Sequence, residues 1–152
     1  MDIQEKMVEE KIVAYIPAKG SYDQIMGLFD DLMNEIMAKG IQIAGPPYGV
    51  YYNSPIEVPE EELMFEVGVP VFGELKEGNK IKIKKIPKTM VLYTIHHGPY
   101  DKVSLVYMSM VDYIMKNGYD MIGAPMEIYL NSPAEVSENE LLTEIRFPVI
   151  KN

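Results

Sequence analysis

The sequence of 152 residues contains no cysteine and no tryptophan, and only 4 phenylalanines. Without cysteine there is no disulfide, no cysteine-based zinc site, no iron–sulfur cluster and no thiol nucleophile. We therefore expect a cytoplasmic setting, in which nothing needs oxidation. No uncharged apolar run approaches the roughly 20 residues that span a bilayer, and the charged N-terminus is unlike a signal peptide. We expect no membrane partner.

Basic residues are also scarce. The chain has 14 Lys and Arg against 23 Asp and Glu, which gives a net charge of −9 at neutral pH. Because nucleic-acid binding needs a basic face, we expect no direct binding to nucleic acid. A composition of 47% hydrophobic and 24% charged residues is typical of a globular protein, and 11 tyrosines and 12 methionines are its unusual feature.

The chain contains an internal repeat. A shift of 78 residues aligns the two halves without a gap, and about 22 of the 59 pairs from Val13/Val91 to Val71/Val149 are identical. The shared segments include GSYD and GPYD, and GPPYGVYYNSP and GAPMEIYLNSP. Such similarity indicates a duplication. We predict a single pseudo-twofold domain over residues 1–152, with repeats at about 3–72 and 81–150.

Each repeat is predicted to be a β-α-β-β unit. Apolar residues at helical spacing indicate one helix of about 17 residues in each copy, ended by Gly40 and by Gly118. Extended segments are predicted at 3–8, 49–53, 63–71, 81–86, 88–95, 127–131 and 141–149, with a joining loop at 72–80. The predicted class is α+β, with two helices on one face of a concave antiparallel sheet.

Alternation along the strands assigns side chains to two faces of this sheet. The largely apolar series 65, 67, 69, 71 and 143, 145, 147, 149 are predicted to lie under the helices. Glu66 and Glu144 then lie on the other, open face. The same reasoning assigns Val50 and Ile128, with Tyr52 and Leu130, to the helix side. That assignment leaves Tyr51 and Tyr129, together with Glu127, on the open face.

The open face thus combines symmetric carboxylates with symmetric tyrosines. Tyrosine rings attract cations by about 0.5–2 kcal/mol, and a carboxylate among aromatic rings is poorly screened by water. We therefore predict that Glu144, Glu66, Tyr129 and Tyr51 bind a flat, lipophilic cation. The alternative is that both carboxylates are simply solvated, with Arg146 neutralising Glu144 in a surface pair.

Other candidate sites are weaker. His96 and His97 are adjacent on a strand and point to opposite faces, so one metal ion could not easily bind both. The sequence has no phosphate-binding loop, no Ser–His–Asp arrangement and no metal-spaced carboxylates, and we expect no metal and no cofactor. The alternating lysines of segment 81–86 predict an edge strand with a solvated lysine face.

The segments VLYTIHHGPYDKV, GAPMEIYLNSP and ELLTEIRFPV, in this order around a helix, resemble the GyrI-like small-molecule-binding domain. This is the effector-binding module of multidrug-sensing MerR- and AraC-type regulators and of stand-alone gyrase-inhibitory proteins. The resemblance covers nearly the whole chain. It implies a ligand groove at the pseudo-dyad with Glu144 as its acidic residue, Glu66 opposite, and Tyr129 and Tyr51 as aromatic walls. It also implies a separate DNA-binding partner if the chain acts in regulation.

Three functions follow as expectations. The favoured one is a stand-alone module that binds hydrophobic, cationic small molecules. The second is a hydrolase of electrophilic, cyclopropane-type compounds, an activity that the resemblance implies, with Glu144 as general base. The third is binding to a protein partner, such as a regulator or a topoisomerase, with the acidic surface resembling the charge of DNA.

Overall fold

The computed structural model describes residues 1–73 and 80–152. Most of the predicted joining loop, residues 74–79, lies outside the described residues. The helices and strands are, in order, β1 Gln4–Val8, β2 Lys11–Lys19, α1 Ile25–Ala38, β3 Tyr48–Tyr51, β4 Met64–Val71, β5 Lys82–Ile86, β6 Thr89–His97, α2 Val103–Lys116, β7 Tyr119–Met121, β8 Met126–Tyr129 and β9 Leu142–Lys151. The predicted elements are all present; β2 is the first strand of the first β-α-β-β unit, for which no bounds were predicted, and β7 is additional.

Both helices are shorter than predicted. Each has 14 residues, because the first turn of each predicted segment is a 3₁₀ turn, at Tyr22–Gln24 and Tyr100–Lys102. Gly40 and Gly118 follow the helices with φ of 66° and 76°, a left-handed conformation that glycine adopts at little cost. No helix in the described parts of the chain is long and apolar enough to cross a membrane.

The chain forms two compact units. The discontinuous unit comprises Met1–Glu9 and Lys88–Asn152, and the continuous unit comprises Glu10–Pro87. In the discontinuous unit the antiparallel strand order is β1-β6-β9-β8, with β7 paired to the end of β9. In the continuous unit the antiparallel order is β5-β2-β4-β3.

The two sequence repeats exchange their first strands. Strand β1 opens the first repeat but pairs with β6 of the second, whereas β5 opens the second repeat and pairs with β2 of the first. The links are short, since only Glu9–Glu10 separates β1 from β2 and only Pro87–Lys88 separates β5 from β6. Neither repeat therefore completes its sheet with its own residues. The pseudo-twofold relation stays a prediction.

Each unit has a hydrophobic core between its helix and one face of its sheet. Ile145, Phe147 and Val149 pack with α2 in the discontinuous unit, and Val67 and Val69 pack with α1 in the continuous unit. These strand series are the ones that alternation predicted for the helix side. The α+β class, with duplicated β-α-β-β units and a helix on one face of an antiparallel sheet, is confirmed. We call this face of each sheet the helix face and the other the far face.

Gly68, on the far face of β4, allows the ring of Tyr48 to pack against the strand. An added Cβ at Gly68 would lie 2.5 Å from Cζ and Oη of Tyr48. Tyr48 is only 1% exposed, so its ring has little room to move. We predict that Gly68→Ala lowers the free energy of unfolding by about 1–3 kcal/mol, measured by urea denaturation.

Gly27 in α1 provides the matched control. An added Cβ there has no atom within 4 Å, so Gly27→Ala is expected to raise the free energy of unfolding by up to about 1 kcal/mol. A Gly68→Ala variant as stable as the wild type would contradict the tight packing of Tyr48.

Candidate functional site

The structure divides the four predicted site residues between two faces. Glu66 and Glu144 lie on the far faces of β4 and β9, as predicted. Tyr51 and Tyr129 pair in register with Phe65 and with Thr143, whose side chains belong to the helix faces. The predicted face of both tyrosines was therefore wrong. Within each unit, the predicted carboxylate and the predicted tyrosine lie on opposite sides of the sheet.

This error has a physical cause in β3 and β8. Val50 and Ile128 lie on the far face, yet they are only 7% and 5% exposed. Because both faces of these four-residue strands are buried, an apolar side chain does not mark the helix side. A shift of one residue in the alternation moves every side chain to the other face.

Glu144 is buried and ion-paired. Its side chain accepts hydrogen bonds from Lys6 Nζ, which lies 3.1 Å from Oε1 and 3.0 Å from Oε2, and from Arg146 Nε. Lys6 Nζ also lies 4.0 Å from the ring centroid of Tyr93. The residue is 6% exposed, so the predicted alternative of a solvated carboxylate in a surface pair with Arg146 is wrong, although the pair itself exists.

Glu66 has a similar environment in the continuous unit. Lys84 Nζ lies 2.6 Å from its Oε2 and 4.1 Å from the ring centroid of Tyr15, and the Tyr52 hydroxyl donates to Oε1. Burial and the Glu66 carboxylate raise the pKa of the Tyr52 phenol. Strand β5 is an edge strand, as predicted. Its lysine face is not simply solvated, because Lys84 pairs with a glutamate that is 3% exposed.

A third carboxylate, Glu127, lies on the helix face of the discontinuous unit. Its Oε2 accepts a hydrogen bond of 2.5 Å from Tyr107 of α2, and its Oε1 accepts one of 3.2 Å from Tyr129. No Lys or Arg of residues 1–73 and 80–152 lies within ion-pair distance of it. Burial raises the pKa of the Glu127 carboxyl, whereas the two hydroxyls and the nearby His96 act to lower it.

Aromatic and polar side chains surround Glu127. The ring of Tyr100 packs edge-on against Tyr129 at a centroid distance of 5.6 Å, and burial, together with Glu127, raises the pKa of its phenol. Thr143, opposite Tyr129 in register, is 0% exposed, and its hydroxyl has no hydrogen-bond partner in the described part of the chain. Glu127, Tyr100, Tyr107, Tyr129, Thr143 and His96 together form what we call the Glu127 cluster.

His96 also lines a cavity of about 590 Å³. Its Nε2 lies 2.8 Å from the carbonyl oxygen of Pro99, so this nitrogen donates. The other lining residues come from the start of the chain, from β6 and from α2: Met1, Asp2, Gln4, Tyr93, Thr94, Ile95, His97 and Val106. The volume lies within the range of pockets that hold small molecules. His96 therefore belongs both to the cavity and to the Glu127 cluster.

The continuous unit has apolar or small residues where the Glu127 cluster is polar. The residues 78 positions earlier are Gly49 for Glu127, Phe29 for Tyr107, Phe65 for Thr143 and Ala18 for His96. Tyr51 keeps the position of Tyr129, but its hydroxyl lies 2.7 Å from the point that a Cβ of Gly49 would occupy. The rings of Tyr22, Tyr51 and Phe65 pack together there. Among the described residues, a buried carboxylate on the helix face is thus found in the discontinuous unit only.

Sequence reasoning placed Glu127 on the open face, which was wrong, because it pairs in register with Ile145 of the helix face, and it gave Glu127 no binding role. The signal that could have identified it is a joint difference between the aligned repeats. Where the first repeat has Gly49 and Phe29, the second has the carboxylate of Glu127 and, in Tyr107, a hydroxyl on the same ring. Paired polar changes at core positions indicate groups that bind each other or a shared ligand.

Comparison with known proteins identifies the family. The sequence matches the GyrI-like small molecule binding domain over residues 1–150. The chain belongs to this family. It is also 32% identical, over 114 residues that make up 72% of each chain, to a DNA gyrase inhibitor of Erwinia billingiae (strain Eb661). The resemblance found in the sequence is confirmed, and the chain is a GyrI-like small-molecule-binding domain.

Solved structures share the fold of this GyrI-like domain. The C-terminal domain of EcmrR matches with a TM-score of 0.90 at 24% identity, covering 99% of this chain and 98% of that one. In the complex of EcmrR with DNA, the chain spans only 58% of the EcmrR chain. SAV2435 bound to tetraphenylphosphonium matches with a TM-score of 0.66 at 13% identity, covering 99% of this chain and 94% of that one.

Glu127→Gln tests the raised pKa of the buried carboxyl. Between the ordinary carboxyl value of 4.5 and the raised value, the folded wild type binds more protons than the unfolded chain. Its free energy of unfolding therefore falls as the pH rises through this range. The glutamine variant lacks this loss, so its stability relative to the wild type should increase by up to about 1.4 kcal/mol per pH unit. Urea unfolding at pH 4 to 8 measures this difference.

Tyr107→Phe is the companion variant. It removes a hydrogen bond that favours the charged carboxylate, so the pH range over which stability falls should extend upwards. A stability difference between wild type and Glu127→Gln that does not change with pH would contradict the raised pKa.

Proposed function

We propose that the chain binds lipophilic cationic small molecules at the Glu127 cluster. One observation carries this proposal. Glu127 is a buried carboxylate, 8% exposed, that accepts hydrogen bonds from two tyrosine hydroxyls but forms no ion pair with a lysine or arginine of the described residues. Burial without a lysine or arginine beside the carboxylate disfavours its ionised form, and His96 offsets this only in part. A ligand cation that reaches Glu127 would supply the missing counter-charge, and the membership of the GyrI-like family supports a small-molecule ligand.

The tyrosines of the cluster add a second attraction for such a ligand. Tyr100, Tyr107 and Tyr129 contribute π systems, each worth about 0.5–2 kcal/mol toward an organic cation that lies over the ring. Tyr129 thus keeps the ligand-binding role predicted from the sequence, on the helix face rather than the far face. The cavity of about 590 Å³ shares His96 with the cluster, and we place the apolar body of the ligand on this side of it.

The other predicted binding residues fit a cation less well. Glu144 and Glu66 each hold a lysine already, and breaking a buried ion pair costs about 3–5 kcal/mol. Tyr51 packs against Tyr22 and Phe65, and it has no carboxylate equivalent to Glu127 beside it. The ligand-binding roles of Glu144, Glu66 and Tyr51 stay predictions, and the experiment below tests the two glutamates.

The ligand class has support from a protein of the same fold. SAV2435 was solved with tetraphenylphosphonium, a lipophilic cation. Tetraphenylborate has the same four phenyl rings around a centre of opposite charge. Together the two ions separate the effect of charge from that of apolar contact.

Calorimetric titration with both ions tests the proposal. We predict that the wild type binds tetraphenylphosphonium more tightly than tetraphenylborate. Glu127→Gln should weaken binding of the cation at least tenfold, which is about 1.4 kcal/mol, because it removes the counter-charge. Glu144→Gln and Glu66→Gln should each change cation binding by less than about threefold, because they remove carboxylates that lysines already neutralise.

Two outcomes would contradict the proposal. Loss of cation binding in Glu144→Gln or Glu66→Gln, with Glu127→Gln unaffected, would place the ligand on the far face, as the sequence predicted. An equal effect of Glu127→Gln on the binding of the two ions would mean that charge does not select the ligand at this cluster. The urea unfolding of Glu127→Gln, described above, shows whether that variant is folded.

Inhibition of DNA gyrase is the second candidate function. Two observations favour it, the 32% identical relative named as a DNA gyrase inhibitor and the net charge of −9. A supercoiling assay should show inhibition at a molar excess of the chain over gyrase, and added salt should weaken it if charge guides the contact. Unchanged supercoiling at all ratios would rule this function out.

The remaining functional expectations stay predictions. These are hydrolysis of cyclopropane-type compounds with Glu144 as general base, a cytoplasmic location, no direct contact with nucleic acid and a separate DNA-binding partner. For comparison, the EcmrR chain that this domain partly matches was solved in a complex with DNA.

A further inference from the structure

We propose that the discontinuous unit carries a second ligand site, for small amphiphilic anions such as organic carboxylates and sulfonates, centred on Arg146. This site lies on the far face of the sheet, whereas the Glu127 cluster lies on the helix face. The observation that supports this site is that two cations, Lys6 and Arg146, are both paired with one buried carboxylate, Glu144.

The charges in this cluster do not balance. Lys6 and Arg146 both contact Glu144, and no other acidic side chain of residues 1–73 and 80–152 lies within ion-pair distance of either. One positive charge is therefore left over. The side chain of Arg146 is 13% exposed, and none of its nitrogens is a fully buried atom without a partner, so its remaining N–H groups reach water. A ligand anion that replaces this water would neutralise the surplus positive charge of the cluster.

The guanidinium of Arg146 still has donors to offer. Its Nε–H donates to Glu144, but the four N–H groups on its two Nη atoms have no acceptor among the described residues. Paired guanidinium N–H groups match the two oxygens of a carboxylate or sulfonate. An anionic head group can thus bind Arg146 while Glu144 stays in place.

Apolar side chains on the same face favour an amphiphilic ligand over an inorganic anion. Tyr93 of β6 and Met126 of β8 flank Arg146 in register on the two neighbouring strands. Ile95 and Ile128 flank Glu144 in the same way. The charged groups are therefore flanked in register by apolar side chains, which can contact a hydrocarbon or aromatic body attached to the anionic head.

The continuous unit shows the same cluster without the extra charge. Its equivalents of Lys6, Glu144 and Tyr93 are Lys84, Glu66 and Tyr15, which make the same ion pair and the same cation–ring contact. The equivalent of Arg146 is Gly68, and the ring of Tyr48 fills the space beside it. One lysine per glutamate is thus sufficient to build this sheet, so the fold itself does not require Arg146.

A matched pair of fluorescent probes tests the site in the full chain. 8-Anilinonaphthalene-1-sulfonate carries a sulfonate, and N-phenyl-1-naphthylamine has the same rings without it. The wild type should bind the sulfonate more tightly than the neutral amine, and sodium chloride should weaken only the sulfonate. Arg146→Met should weaken sulfonate binding at least tenfold and change amine binding by less than threefold.

Further variants separate the site from general charge effects. Glu144→Gln should tighten sulfonate binding, because it leaves two cations without a carboxylate, whereas a cation site at Glu144 would predict no such gain. Arg146→Lys should keep part of the preference for the sulfonate. Lys116→Met removes one positive charge from an exposed pair on α2 and should leave binding of both probes unchanged.

The outcome that overturns the proposal is an unchanged ratio of the two affinities in Arg146→Met, or a wild type with no preference for the sulfonate. Near-ultraviolet circular dichroism checks that each variant is folded, since the sulfonate also binds loosely packed proteins. If Arg146→Met does not fold, the Glu144→Gln variant and the salt dependence of the wild type decide. Failure here would not affect the cation site, which depends on Glu127.

Discussion

The fold depends on the compensation of buried carboxylates. Three glutamates of the described residues, Glu66, Glu127 and Glu144, are buried, and each loses its hydration on folding. For Glu66 and Glu144 the counter-charge comes from Lys84 and Lys6, on the strands that the repeats exchange. The exchanged strands are thus held by charge as well as by backbone hydrogen bonds, and their removal would leave a buried charge unpaired on the neighbouring sheet.

Duplication of one unit has been followed by divergence on both faces of the sheet. On the helix face, one unit has a carboxylate and additional hydroxyls, whereas the other has a glycine and phenyl rings at the equivalent positions. On the far face, Arg146 stands where the other unit has Gly68. Such differences are informative because the shared scaffold already satisfies folding in the unit that lacks them. Polar groups added to a buried position cost stability unless they are paired, so their presence in one unit favours a functional role.

Much of this arrangement could be predicted from the sequence, and the errors have a physical cause. The two helices and the sheet face on which Glu66 and Glu144 lie follow from the spacing of apolar residues, because each long element has one strongly apolar side. The duplication follows from the alignment of the two halves. The sheet face of Tyr51 and Tyr129 could not be predicted from this pattern. Their neighbours Val50 and Ile128 are apolar and buried, yet they lie on the far face. The exchange of first strands between the repeats also could not be predicted from the alignment of the two halves. The match between segments 3–8 and 81–86 fixes their equivalence but not which copy each pairs with.

The difference between Glu127 and Glu144 decides which charge each can bind. A cation that approaches Glu144 competes with Lys6, and displacing Lys6 would also release it from the ring of Tyr93 and weaken the docking of β1. A cation that approaches Glu127 competes with no lysine or arginine of the described residues, and the two tyrosine hydroxyls can stay bound to the carboxylate. For equal contacts with the rest of the ligand, the carboxylate without a cation therefore gains more from binding one. By the same reasoning, the surplus cation at Arg146 gains more from an anion, so opposite faces of one sheet favour ligands of opposite charge.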